Sequence, residues 1–261
     1  MTLAGEVANE ALALSRSETR KDAPMNETPL PASIDLEKLF RKSSMFDSIR
    51  DWRKAGFEIL RESEDKIIVT SHRDAEGYLF KKYGSGNSHS YDEQLEKYQN
   101  RIAGARLLRE HLEANQIDRI IVPRKWLCTL PDRFDVRRGK PSYIVVVERY
   151  DILDRDKSKR RYREIDESLL RDLCTVLFRF RGLDFTPRNV PFTRDHKIAY
   201  IDTEYLKLNT RKPGRRRRYY ARHTGDGPVF SDKQLKLMGK LWDEQVRREE
   251  RREQDRRQNA G

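Results

Sequence analysis

The chain has 261 residues, enough for one medium domain or two small ones sharing an interface. Charged residues (38%) outnumber hydrophobic ones (36%), which predicts a modest core with polar ends, and the net charge of +12 favours a polyanionic partner such as nucleic acid, an acidic membrane surface or phosphates. No apolar run approaches the roughly eighteen residues a bilayer span needs, and Cys128 and Cys174 stand too far apart for a zinc pattern, which makes them buried free thiols in a reducing interior.

Residues 1–33, rich in Ser, Thr, Glu, Ala and Pro without periodicity, are expected to form a disordered tail. They lack the basic start, continuous apolar core and cleavage site of an ordinary export signal. A short helix is expected in "DLEKLFRKSSMFDSIRDWRKAG", where Leu36, Leu39, Phe40, Phe46 and Ile49 are the apolar positions. Three strand-like runs follow, "FEIL" (57–60), "KIIVTSH" (66–72) and "GYLFKKY" (77–83), and their short polar connections predict an antiparallel meander. Residues 91–116 are expected to be helical, because Leu95, Tyr98, Ile102, Ala105, Leu108 and Leu112 recur at three- and four-residue steps.

"IDRIIVP" and the nearly continuous apolar "PSYIVVVERY" (141–150) read as two further strands. A helix over 165–180 follows, with Asp166 as its cap. "NVPF" and "KIAYID" flank the turn "TRDHK", where Asp195 is an ordinary turn residue. The basic stretch "RKPGRRRRYYARH" (211–223) precedes a last helix that loses its apolar face beyond Val246. The order of elements predicts an α+β fold: an antiparallel sheet carrying one helix, then a mainly helical region with a two-stranded insert. The "VVVERY" strand would join these two lobes across a cleft.

The chemistry concentrates in "RGLDFTPRNVPFTRDHKIAYIDTEYL" (181–206), which sets Asp184, Asn189 and Asp202 among residues suited to burial. Taken singly, Asp, Asn and Pro here are turn residues. Taken together, they follow an apolar helix and enclose a hairpin, and "DFTPRN" has the Asp-x-x-x-x-Asn spacing of a kinase catalytic loop. Over roughly residues 57–206 the chain resembles the protein-kinase-like fold, which includes small-molecule kinases of the aminoglycoside phosphotransferase type.

The resemblance implies a two-lobed fold, with a small antiparallel sheet lobe and a reduced, mainly helical one. It implies ATP and Mg2+ as cofactors, Asp184 as the base, and Asn189 and Asp202 as the metal ligands. Arg188 would lie near the transferred phosphate. Lys81 would hold the α- and β-phosphates, in preference to Lys82, because Leu79 shares its face. Glu93, Glu96 or Glu110 of the 91–116 helix would pair with that lysine. Backbone groups at Glu148 and Tyr150 would meet adenine.

The sequence departs from the family pattern in three places. Gly182 and Leu183 stand before Asp184, "DTE" follows the hairpin with Glu204 as either an extra metal ligand or a solvated residue, and the turn "RESED" has no glycine to cover phosphates. Either another element covers them, or affinity is low, or the protein is a pseudoenzyme. Only 55 residues follow Leu206, which implies a minimal kinase-like domain over 34–245 (lobes about 34–147 and 148–245) and a charged tail over 246–261, similar to reduced kinase-like bacterial effectors.

The expected activity is ATP- and Mg2+-dependent phosphoryl transfer to a hydroxyl, with a protein as acceptor and a location in the cytoplasm or, as an effector, in a host cell. One alternative is a pseudokinase binding module. Another is a nucleic-acid binder acting through Arg215, Arg216, Arg217 and Arg218 beside Tyr219 and Tyr220. Such charge runs are more often solvated faces.

Overall fold

The computed structural model describes residues 29–41, 46, 48–63, 67–84, 87–130, 141–181, 185–208 and 229–259. The elements run α1 (Leu36–Phe40), α2 (Ile49–Lys54), β1 (Glu58–Glu62), β2 (Ile67–Ser71), β3 (Tyr78–Tyr83), α3 (Tyr91–Ala114), β4 (Ile120–Ile121) and β5 (Lys125–Thr129). They continue with β6 (Tyr143–Glu148), α4 (Arg155–Tyr162), α5 (Glu167–Arg179), β7 (Phe180–Arg181), β8 (Ile198–Ala199), β9 (Lys207–Leu208) and α6 (Asp232–Gln258). The chain is thus α+β, built on a five-stranded antiparallel sheet in the order β1-β2-β3-β6-β5.

The period-two alternation of β3 and its neighbours sorts their side chains onto two faces. Lys81 pairs with Val145 and Leu79 with Val147, while β5 sets Leu127 and Lys125 beside the same two valines. This face packs on α3, where Leu79, Tyr83, Leu127, Val145 and Val147 meet Tyr98 and Ile102. Phe80, Ile144, Val146, Trp126 and Cys128 occupy the other face, under an aromatic cluster from the N-terminal segment. There Phe40, Phe46, Trp52 and Phe57 meet mostly edge-to-face, and the Trp52 indole N–H donates to the Phe46 carbonyl at 3.1 Å.

A further cluster joins the C-terminal half of α3 (Ala105, Leu108, Leu112) to α5, α6 and the hairpin residues Phe192, Ile198 and Tyr200. Capping explains where the helices begin. Ser90 with Glu93 and Ser231 with Gln234 form capping boxes, and the Asp166 side chain accepts from Leu169 N at 2.7 Å. Both cysteines are buried and free, and burial pushes each thiol up to about 12. Among the described residues no helix is long and apolar enough to cross a membrane.

Several elements differ from the sequence expectation. The single N-terminal helix is two short ones, α1 and α2, with Ser48 starting the second. "IDRIIVP" supplies only the two-residue β4, which pairs in parallel with β8 rather than joining the main sheet. Its continuation stops at Pro123, and the strand that completes the sheet is the unforeseen β5 beyond it. Helix α4 has no apolar periodicity to announce it: its sequence is almost wholly charged, and only Ser158 and Tyr162 are buried. The last helix, by contrast, is as expected, with α6 running through the charged stretch to Gln258. Residues 1–28 and 209–228, which include most of the expected tail and Arg215–Arg218, lie outside the described residues.

Candidate functional site

The segment 185–208 is closed at its far end by pairing with the strand that precedes it. β7 pairs antiparallel with β9, joining Phe180 to Leu208 and Arg181 to Lys207. Within the segment, Phe192 bridges Ile198, Thr193 N donates to Lys197 O at 2.8 Å, and Ala199 N donates to Pro191 O at 2.8 Å. The expected hairpin therefore forms, with few paired residues. Its return strand brings Ile201 N to Asn189 O at 3.1 Å, so Asn189 and Asp202 lie side by side although twelve residues separate them. Asn189 N is held by Thr186 O at 3.0 Å.

Three cations surround Asp202. The Arg101 guanidinium of α3 lies 3.7 Å from its carboxylate, and Lys125 and Lys81 act on it electrostatically from the sheet. Burial opposes its charge, but Arg101, Lys125 and Lys81 outweigh that and hold the carboxyl below the usual range. The carboxylate keeps an exposed edge, with 40% of its side chain open to solvent. Lys81 is partly buried on the α3 side of β3. Burial, with Arg101 nearby, pulls its ammonium down to about 8 although Asp202 works in the other direction.

Lys125, Arg101 and Glu204 form the buried half of the site. Lys125 Nζ donates to Thr203 Oγ1 at 2.7 Å and to Ile201 O at 3.2 Å. Burial, and then Lys81, push its ammonium well below the ordinary range. The Thr203 hydroxyl in turn donates to Arg101 O at 2.6 Å. Arg101 forms a close ion pair with Glu204 through Nη2 and Oε2, and Lys97 Nζ reaches Glu204 Oε1 at 3.1 Å. Gly104, one turn along α3, lets the helix backbone approach the Thr203 carbonyl so closely that any Cβ there would collide with it.

The expected residues divide as follows. Lys81, on the α3 face of the central strand β3, lies within electrostatic range of Asp202, and Asn189 is joined by its backbone to the return strand that carries Asp202. Asp184 lies outside the described residues. Arg188 is exposed on the loop. Glu148 ends β6 opposite Tyr78, three registers from Lys81 and so about 10 Å along the ladder. Its backbone N–H already donates to Arg124 O at 3.0 Å, and its side chain accepts from Arg124 N at 2.9 Å and Tyr150 Oη at 3.2 Å. Burial, then Glu148, push the Tyr150 phenol up to about 12.

None of the three glutamates considered on α3 takes the place of a partner for Lys81. Glu93 closes the capping box, Glu110 pairs with Arg106 one turn away, and Glu96 is exposed. The helix presents cations instead, Lys97 and Arg101. Arg101, Lys125, Gly104 and Thr203 were all missed in the sequence. Arg101 carried a signal, because it falls in the apolar stripe between Tyr98 and Ala105, where a charge must be paired. Gly104 did too, as an isolated glycine inside a helix. Glu204 is neither solvated nor open to a metal ion; it is buried and bound to α3.

A divalent cation implied by the resemblance fits the donor chemistry here. The Asp202 carboxylate and the Asn189 side-chain amide are hard oxygen donors on adjacent backbone segments. Two such ligands suit Mg2+, which keeps several waters and takes further ligands from phosphates. Among the described residues there is no group of three or more His, Cys, Asp and Glu able to hold a metal ion unaided.

No protein-family model matches the chain, and no curated protein matches it. Among solved structures it is similar to WbdD, seen in a co-crystal structure with the kinase inhibitor LY294002, at 13% identity with a TM-score of 0.37. The likeness covers 72% of this chain and 45% of that one, so this chain spans less than half of its length.

Proposed function

We propose that this protein is a reduced, two-lobed phosphotransferase of the protein-kinase-like type, which uses ATP and Mg2+ to phosphorylate a hydroxyl, most naturally on a protein. The observation that carries this reading is the approach of three segments distant in sequence. Asp202 of the return strand is the common point: the charges of Lys81 on β3 and Asp202 act on each other, and Asn189 of the loop is hydrogen-bonded through its backbone to Ile201 beside Asp202.

In this reading Lys81 neutralises the α- and β-phosphates, and its desolvated ammonium does so without solvent reorganisation. Asn189 and Asp202 would hold Mg2+, which when bound would supply charge neutralisation at the phosphates. Asp184 orients the acceptor hydroxyl and takes its proton. The acceptor oxygen bonds to the γ-phosphorus, the bond to the β–γ bridging oxygen breaks, and ADP leaves with that electron pair. Arg188, exposed on the same loop, offers a cation to the transferring group. Adenine would hydrogen-bond at the end of β6, where backbone groups beyond Glu148, such as those of Tyr150, are the candidates.

One observation favours a second reading, a nucleotide-binding module without activity. The β1–β2 connection is closed tightly by Ser63 N to Ile67 O at 2.9 Å, which leaves only residues 64–66 to span it. A connection that short offers little backbone for phosphate oxygens. The two readings separate on incubation with γ-labelled ATP and Mg2+, using the parent beside D184A and D202A. Label reaching the protein itself or a general substrate in the parent alone supports the enzyme. Nucleotide binding without transfer in the parent supports the module.

A further inference from the structure

Resting on the phosphotransferase reading, we propose that Glu204 is a positioning residue. It draws the Arg101 guanidinium away from Asp202 and so leaves that carboxylate to receive the divalent cation. Arg101 stands between two carboxylates. It is in close contact with buried Glu204 and 3.7 Å from the half-open Asp202. Lys97 completes the neutralisation of Glu204 from the next turn of α3. The helix is pinned here by the Thr203 hydroxyl on Arg101 O and by the close backbone approach at Gly104, so Arg101 cannot withdraw from the cluster as a whole.

A buried guanidinium that lost Glu204 would have one carboxylate left within reach, Asp202, because an unpaired buried charge is costly. The metal ligand would then be captured by the arginine. The polarity is the inverse of a helix glutamate serving a sheet lysine: here the helix supplies the cation, and the segment after the hairpin supplies two carboxylates of unequal exposure.

The experiment measures Mn2+ binding by electron paramagnetic resonance in the presence of the non-hydrolysable ATP analogue AMP-PNP, for the parent, E204Q, R101Q and R101Q/E204Q. E204Q is expected to weaken Mn2+ binding about ten-fold or more, in the range seen for groups supporting metal ligands. R101Q/E204Q is expected to recover the affinity to within about three-fold of the parent, because the competing cation has gone. A merely structural role for Glu204 would make the double variant as weak as E204Q or weaker, and that result overturns the proposal.

Should E204Q not fold, R101Q alone decides, because Glu204 keeps Lys97. Mn2+ affinity at or above the parent's supports the proposal, and a loss overturns it. A parent that takes up no Mn2+ with AMP-PNP overturns the phosphotransferase reading itself. A parent that binds while E204Q binds equally well overturns only the role of Glu204.

Discussion

Gly104 of α3 and the backbone carbonyl of Thr203 stand so close that no side chain fits between them. The helix on which the sheet rests and the segment carrying Asp202 are therefore packed backbone to backbone. Arg101, Lys97 and Glu204 tie the same two elements together through charge.

Replacing Gly104 by alanine tests that contact. A backbone oxygen cannot swing aside as a flexible side-chain tip can, so α3 or the 201–206 segment must shift. The expected cost is about 1–3 kcal/mol of stability, typical of overpacking, read as a lowered urea midpoint with an unchanged slope. A midpoint equal to the parent's would show that the two backbones are not held together here.

The lowered pKa of Lys81 has a chemical consequence. At pH 8 about half of its amine is neutral, against well under about 1% for an ordinary lysine. Acylation at that pH is expected to modify Lys81 ahead of the exposed Lys233 and Lys240, as mapped by peptide mass spectrometry. Labelling of Lys81 by a small acylating reagent no faster than these two would contradict the lowered pKa of its ammonium.

His111 sets an acid limit on the fold. Burial, with Arg179 nearby, lowers its pKa from 6.5 to about 4. Between those values the unfolded chain takes up a proton that the folded one refuses, so stability falls as pH drops from 6.5 toward 4. The expected loss is of the order of 2 kcal/mol, discounted for the ring's partial exposure. Urea midpoints at pH 7 and pH 5 check it: the parent should lose stability across this interval, and H111L should lose distinctly less.

The aromatic cluster under the sheet makes Phe40, Phe46, Trp52 and Phe57 part of the fold. Trp52 is fully buried there, and truncation to alanine is expected to cost about 3–5 kcal/mol. Far-ultraviolet circular dichroism during thermal unfolding would record it as a much lower midpoint. A near-parent midpoint would mean that this cluster is an appendage.

Legibility followed local pattern. The meander at 57–83 and the helix at 91–116 were readable within a residue or two, because alternation and three-to-four spacing are properties of the chain itself. The choice of Lys81 over Lys82 rested on the same alternation, and the register does set Lys81 on the α3 side with Leu79. β5 and α4 were not readable. "KWLCT" is too short to show a period behind Pro123, and "RDKSKRRY" has almost no apolar residue. Missing β5 meant missing Lys125. The apolar stripe marks Arg101 as a charge that must be paired, but its pairing with Glu204 depends on packing between elements about a hundred residues apart.

If Lys81, Asn189 and Asp202 form a single nucleotide–metal site, the Lys81 and Asp202 side chains should both govern nucleotide binding, as read by calorimetric titration of the parent, K81A and D202A with AMP-PNP and Mg2+. The parent is expected to bind, K81A to bind about ten-fold or more weakly, and D202A to lose the dependence on Mg2+. Absence of binding to the parent, or equal Mg2+-dependent binding to all three proteins, would contradict it.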